Sequence, residues 1–362
     1  MKNQPVWALG TMSGTSLDGV DAAMVLTDGT DVLEIGASAY RAYTDRERAV
    51  LEAALGAWEG PAVSAAARVV EVAHIEVLSG FTGAEVIGFH GQTLSHDPAE
   101  GRTLQVGDGA RLSEALNVPV VWDFRSADVA LGGQGAPLAP FYHFALARWM
   151  QAPGPIAVLN IGGVANLTWI DPARSAPETD GALLAFDTGP GNAPLNDLVS
   201  RRRNAHFDRD GLLAGSGEII DDALYRLLAN PYFAKEPPKS LDRNDFSIWL
   251  DAVSGLGDAD AAATLAAGIA ASIALSLPLC PVAPTEILVT GGGRSNPVLM
   301  DFIGGLVDCP VRPVEDVGLD GDMLEAQAFA HLAVRVQRGL PTSALGTTGV
   351  PAPVGGGQVS GG

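Results

Sequence analysis

The sequence predicts an α/β protein of two similar halves, each opening on two strands joined by a turn of small residues. Two stretches carry that prediction. In residues 9–25, LGTMSGTSLDGVDAAMV, apolar runs at 6–9 and 20–26 flank a turn of glycines and hydroxylated residues. In residues 156–170, IAVLNIGGVANLTWI, strand, Gly-Gly turn and strand return after a Pro-Gly-Pro break at 153–155. A third Gly-rich junction, TGGGRSN at 290–296, follows the apolar strand 287–289 and precedes Pro297, placed for the first turn of a helix. The two hairpins share almost no identity, so the repeat is one of pattern.

The first turn suits an anion. Gly10, Gly14 and Gly19 let backbone approach phosphate oxygens, and Thr11, Ser13, Thr15 and Ser16 add hydroxyl donors. Asp18 would repel phosphate unless a cation lies between them, which points to Mg²⁺ held directly or through water. The same composition also suits an ordinary β-hairpin turn. A P-loop is excluded, because no Gly-Lys-Ser/Thr precedes a helix here, and dinucleotide binding fails because no helix opens at these glycines. A phosphate loop between antiparallel strands belongs instead to the actin/Hsp70/sugar-kinase (ASKHA) superfold, in which two ribonuclease H-like domains enclose an interdomain active-site cleft. The expected domains are residues 1–130, completed by the tail at about 340–362, and residues 131–340.

Composition narrows the partners. With 362 residues the chain can bury two cores, and 22 Lys plus Arg against 42 Asp plus Glu give a net charge of −20. That balance argues against nucleic acid and anionic membrane, and leaves a polyanion such as ATP to backbone amides, helix ends and Mg²⁺. Cys280 and Cys309 have no metal-ligand spacing and read as reduced thiols of a cytoplasmic protein. The start, MKNQPVW, lacks the apolar region of a signal peptide, and the Ala-rich run 261–277, ended by Pro278, fits a helix packed on a sheet better than a membrane span.

The remaining elements follow in order. Residues 32–40 complete a meander, Thr44 caps a helix with Glu47 in a capping box, and Pro61 opens a longer helix to about residue 78. Residues 86–89 form a buried strand ending in His90-Gly91-Gln92-Thr93; 104–106 and 118–121 are further strands, the last running into the polar stretch 123–138. A helix at about 138–150 closes the first half. In the second, strand 183–186 ends in Asp187-Thr188-Gly189-Pro190-Gly191-Asn192, and a last amphipathic helix at about 322–338 carries Glu325 near its start. Strand ends that turn polar and Gly-rich are where open α/β sheets bind ligands.

The strings GTMSGTSLDGVDAA, GFHGQTLSHDP, DFRSADVALGGQGAPLAPFYH, NIGGVANLTWI, FDTGPGN, DGLLAGSGEI, ILVTGGGRSNPVLM and GLDGDMLEAQAFAHLA resemble the bacterial anhydro-N-acetylmuramic acid kinases, in the family's order over nearly the whole chain. One departure is PPKSLDRNDF at 237–246, where Thr-Gly is expected in place of Leu241-Asp242. The resemblance implies that 1,6-anhydro-N-acetylmuramic acid, ATP and water give N-acetylmuramic acid 6-phosphate and ADP in peptidoglycan recycling, by a cytoplasmic homodimer. It implies nucleotide contacts from Gly10, Ser13, Gly14, Thr15, Ser16, Leu17, Asp18, Gly19, Asp21, Gly162, Gly163, Asn166, Gly291, Gly292 and Gly293, with Asp18 toward Mg²⁺.

Opening an internal acetal needs a water, a base for it, and an acceptor for the charge left on O6. Capture of the γ-phosphoryl group by O6 supplies the acceptor, so one carboxylate suffices. Asp187 matches the family's catalytic position; an N-cap or Asx turn before a helix near Ala193 is its structural alternative. Glu325 matches a substrate-contacting acid, or is an ordinary acid of a first helical turn. Arg125 could clamp a carboxylate or phosphate, or pair with Asp123 or Asp128. His90, Gln92 and Thr93 are assigned to substrate hydrogen bonding or loop packing. Two other readings remain at this stage: a sugar or acyl kinase with an ordinary hydroxyl or carboxylate acceptor, and a non-catalytic ATP-driven clamp.

Overall fold

The computed structural model describes residues 4–361; residues 1–3, where the segment read for a targeting signal begins, lie outside it. The chain forms two compact units, one of residues up to 151 with 174–182 and 322 onward, the other of 152–173 and 183–321. Segments 131–151 and 322–340, expected in the second domain, therefore pack with the first.

In the first unit, β1 (Val6–Ser13), β2 (Gly19–Thr27) and β3 (Val32–Ala42) form the antiparallel meander. β4 (Val86–Asp97) joins β1 in parallel, β5 (Arg102–Val106) pairs the second half of β4, and β6 (Val120–Trp122) lies parallel to its first half. The spatial order β3-β2-β1-β4-β6 is extended by the C-terminal strand Gln358–Ser360, antiparallel to β6. The helix after the meander is capped as its sequence dictates: Thr44 accepts from the Glu47 amide, and Glu47 accepts in return from the Thr44 amide.

Helix Leu324–Gln337 belongs here because two glycines admit it. A Cβ on Gly10 would lie 2.0 Å from the Ala326 carbonyl oxygen, and one on Gly88 equally close to that of Phe329. The helix thus rests its backbone directly on β1 and β4. Its apolar face and the sheet bury Ala326, Phe329, Ala330 and Ala333.

The second unit repeats the order. β7 (Ile156–Ile161), β8 (Val164–Ile170) and β9 (Leu183–Pro190) make its antiparallel meander, and β10 (Ile287–Thr290) and β11 (Val311–Pro313) add in parallel on the β7 side, giving β9-β8-β7-β10-β11. Both sheets follow the ribonuclease H-like order 3-2-1-4-5. The Ala-rich segment is helix Asp258–Ser276, whose small side chains allow close packing in the core of this unit. Extended to Leu279, it is long and apolar enough to cross a membrane by length and composition, yet most of it is buried in protein. Cys280 and Cys309 are free thiols.

Candidate active site

The first loop is built as an exposed crest on a buried brace. Leu17 takes a left-handed backbone conformation, φ 56°, and sinks its side chain into the core, while Thr15, Ser16 and Asp18 stay exposed. The Asp18 carboxylate accepts from the Ser16 hydroxyl at 2.8 Å and the Gly19 amide at 3.0 Å, and the Asp18 carbonyl accepts from the Tyr43 amide and the Tyr40 hydroxyl, both at 2.9 Å. Asp21 sits half-buried on β2 opposite Met12 and Tyr40.

Several residues assigned to ligand do structural work here. Ser13 is fully buried, and its hydroxyl is taken up by the Tyr43 hydroxyl at 2.9 Å and by Gln92 Oε1 at 2.5 Å. Gln92 Nε2 donates onward to the Gly14 carbonyl at 3.1 Å, so Gln92 props the loop from beneath. Gly10 is consumed by the helix above it. A Cβ on Gly19 would meet the Arg41 carbonyl and the Tyr40 ring, both at 2.5 Å, so Gly19 serves strand packing; at Gly14 the nearest atom is 3.6 Å away. Gly14 alone of the three leaves space open over the turn.

A second polar group occupies the same unit. β4 runs through 90–93 instead of ending there, because β5 pairs with it and Gly91, at φ 75°, bends it around Val106. Arg125 donates to His90 Nε2 from Nε at 3.1 Å and Nη2 at 3.0 Å, and to the Gly135 carbonyl at 2.6 Å; it forms no ion pair with Asp123 or Asp128. Burial pulls its guanidinium down to about 10, so it stays a cation at neutral pH. Glu325 lies in the first turn of helix Leu324–Gln337; the surrounding protein pushes its carboxyl above the usual range, with the Arg125 cation pulling it back. Thr93 accepts from Gln105 Nε2 at 3.1 Å.

In the second unit, Asp187 stands inside β9 and not at its end. The ladder pairs Asn166 with Asp187 and Ala165 with Gly189, leaving Thr188 as a bulge. The bulge hands the Asp187 backbone to other partners: its amide donates to the Lys239 carbonyl at 3.1 Å, and its carbonyl accepts from the Tyr232 hydroxyl at 2.8 Å. Oδ2 accepts from the Leu241 amide at 2.8 Å, and Oδ1 has no donor among the described residues. Burial pushes this carboxyl up to about 6, against the Leu241 amide and the Lys239 ammonium, which lower it. The cap of the following helix is Asn192, so Asp187 is not an N-cap.

The 237–246 departure is absorbed by geometry. Leu241 meets Asp187 through its amide, which any non-proline residue supplies, and Asp242 closes its own turn by accepting from the Asn244 amide at 2.9 Å.

The Gly162-Gly163 turn presents both carbonyls inward, to the amides of Asn192 at 2.7 Å and Gly191 at 2.9 Å, while both Cβ positions stay open. Gly291 and Gly293 are close-packing residues: Cβ atoms there would meet Asn160 Oδ1 at 2.2 Å and Ile161 at 2.4 Å. Gly292 is open and exposed, and lines a cavity of about 330 Å³ with Asn192, Asn196, Phe207, Ser295 and Asn296. Apart from Gly292 the sequence reading missed this cavity, as it missed Lys239 and Tyr232. Phe207, an exposed aromatic in an otherwise polar stretch, was the available signal.

Two ribonuclease H-like units, each with a Gly-rich turn after its first strand, give the chain the architecture of the actin/Hsp70/sugar-kinase class. A sequence profile described as "Anhydro-N-acetylmuramic acid kinase" matches residues 6–360. A relative from Cereibacter sphaeroides bearing that name is 62% identical over 361 residues, covering 99% of this chain and 97% of its own. One from Ruegeria sp. (strain TM1040), also so named, is 61% identical over 359 residues, covering 99% and 96%. The chain belongs to the anhydro-N-acetylmuramic acid kinase family.

Proposed function

We propose that this enzyme opens the 1,6-anhydro ring of 1,6-anhydro-N-acetylmuramic acid with water and transfers the γ-phosphoryl group of ATP to O6, giving N-acetylmuramic acid 6-phosphate and ADP. The observation that carries the chemistry is Asp187: a half-buried carboxylate, pushed up to about 6, with one oxygen held by an amide and the other free. Such a group is ionised at neutral pH yet basic enough to take a proton.

In this reading Asp187 takes a proton from water as the water oxygen bonds to the anomeric carbon. The bond from that carbon to O6 breaks, its electron pair stays on O6, and O6 bonds to the γ-phosphorus as the bond to the ADP oxygen breaks. The Leu241 amide and the Asp187 backbone bonds fix the carboxylate's direction, so little reorganisation precedes the proton transfer. Arg125, held by His90 and Gly135, and Glu325 contact the sugar acid, with the guanidinium toward its lactyl carboxylate.

The Gly292 cavity takes the nucleoside of ATP, since a volume near 330 Å³ suits that group, and the Gly162-Gly163 turn of the same unit is open to its phosphates. The Gly14–Asp18 crest of the first unit is likewise open to phosphate oxygens. Mg²⁺ fits the donors present. Among the described residues no three His, Cys, Asp or Glu side chains cluster as a metal site, while Asp18, Thr15 and Ser16 offer exposed oxygens. Mg²⁺ characteristically takes one or two carboxylates plus phosphate and water. When bound it neutralises phosphate charge. The protein acts in the cytoplasm on this small substrate as a homodimer, without nucleic acid or membrane, as its charge of −20 suggests for the last two.

The test is ADP release with Mg-ATP, with and without the anhydro sugar, in ¹⁸O water. Sugar-dependent release with one solvent oxygen in the phosphorylated product is expected. A kinase using an ordinary hydroxyl would leave solvent oxygen out of the sugar, and a clamp would hydrolyse ATP whether or not sugar is present.

A further inference from the structure

Lys239 is a buried ammonium with no hydrogen-bond partner, the only such ammonium among the described residues. Three contacts tie it to Asp187. Its carbonyl accepts from the Asp187 amide at 3.1 Å. Its Nζ lies 4.8 Å from the centre of the Tyr232 ring and 5.5 Å from that of Phe186, the residue before Asp187. Tyr232 in turn donates its hydroxyl to the Asp187 carbonyl at 2.8 Å. One aromatic ring therefore holds the cation on its face and the base's backbone at its edge. A buried cation with neither a hydrogen-bond acceptor nor a counter-ion in contact is costly, and its presence needs a reason beyond packing.

We infer that Lys239 is a positioning residue for the base: its ammonium, seated on Tyr232, holds the Asp187 carboxyl in the ionised form that accepts a proton. The inference rests on the reading of Asp187 as base. Burial alone drives a carboxyl toward its neutral form, and a fixed cation nearby opposes that drive. Burial, opposed first by the Leu241 amide and then by the Lys239 ammonium, leaves the carboxyl at about 6, basic but ionised at neutral pH. Lys239 is itself pulled below its ordinary range by burial, with Asp187 raising it and Lys235 lowering it. The other titratable groups around the pair are the Tyr232 phenol, pushed far up by burial and by Asp187 and Asp245, which stays neutral, and Asp245 itself; Asn166, opposite Asp187 on β8, is uncharged.

The experiment is the pH profile of kcat/KM for sugar-dependent ADP release in wild type, Lys239→Met, Lys239→Gln and Lys239→Arg. Loss of the cation moves the acid limb up by about one pH unit, while Lys239→Arg keeps it in place. Above that limb the neutral variants approach wild-type rates, because the base they carry is stronger. A purely structural role would lower the plateau and leave the limb where it was, and that result overturns the inference.

A second readout needs no lysine variant. Coupling between two titrating groups is reciprocal, so in Asp187→Asn protein the ¹³Cε titration of Lys239 moves to lower pH than in wild type. An unmoved Lys239 titration sinks the proposal. Failure of the underlying reading looks different: Asp187→Asn would then turn over at the wild-type rate, whatever the lysine variants do.

Discussion

The Arg125 guanidinium donates two hydrogen bonds to a single atom, Nε2 of His90, at 3.0 and 3.1 Å. That atom must carry a lone pair, so the ring proton is on Nδ1, which donates to the Gly91 carbonyl at 2.8 Å. His90 is thus a neutral acceptor that aims a cation, and a role as general acid is closed to it. Burial and Arg125 both hold it well below the usual histidine range.

In ¹⁵N-histidine spectra His90 should remain the neutral Nδ1–H tautomer from about pH 8 to pH 5. Titration near 6.5 would show that the Arg125 clamp is not formed in solution. His74 and His143, each pulled to about 4 by burial, and His331, also lowered by burial, behave alike. Below about 6.5 the unfolded chain binds protons that these four rings refuse, so stability falls as pH falls, by up to about 1.4 kcal/mol per pH unit for each ring. Melting temperatures measured from about pH 8 down to 5 should decline; a flat profile would contradict the burial of these rings.

Gly10→Ala and Gly14→Ala separate packing from binding within one loop. The first places a Cβ 2.0 Å from a helix carbonyl and 2.2 Å from the Ala330 amide, with backbone on both sides and no side chain to yield. It should abolish the folded state or cost more than about 3 kcal/mol by denaturant unfolding. The second meets nothing closer than 3.6 Å and should fold normally while raising the KM for ATP. Equal effects on stability would refute the division of labour.

That contrast also marks what was legible in the sequence. Both hairpins, the capped helix at Thr44 and the helix opened by Pro61 rest on local periodicity and turn chemistry, and local signals survive in one dimension; the strand order 3-2-1-4-5 was not read, because it rests on parallel pairings between distant strands. Gly10 and Gly14 are indistinguishable by that means, since the helix that claims Gly10 is distant in the chain. Gln92 was open to two readings, substrate hydrogen bonding or loop packing; β5, which prolongs β4, turns it under the loop, where it meets Ser13 and the Gly14 carbonyl. Asp187 was found through its motif, but its bulge, its free Oδ1 and the Lys239 cation depend on Tyr232 and on the 237–246 segment folding back. At the Leu241-Asp242 departure the contact with Asp187 is made by the Leu241 amide, which no side-chain pattern displays.

Asp18→Asn tests the metal assignment. The substitution keeps an oxygen able to accept from Ser16 and Gly19, so the turn should survive with a melting temperature within a few degrees of wild type. It removes the one formal charge on the crest. Half-maximal activity should then need about tenfold more Mg²⁺ or beyond, at unchanged sugar KM. An unaltered Mg²⁺ dependence would place the ion elsewhere.

Asp187→Asn should lower kcat by about 10²- to 10⁴-fold while ATP still binds. The wild-type rate should fall about tenfold per pH unit below about 6, because the reactive form is the carboxylate and its carboxyl is pushed to that value, and it should be level above. The stability consequence runs the other way from that of the histidines. Between about 3.8 and 6 the folded protein holds a proton that the unfolded chain has lost, so this group's contribution strengthens as pH falls through about 6 and is complete by about 3.8. At neutral pH the ionised, half-buried carboxylate is a net cost, and the Asn variant should melt higher than wild type while turning over slowly. A variant that loses activity and melting temperature together would assign Asp187 to the fold. One that keeps its rate would remove it from the chemistry.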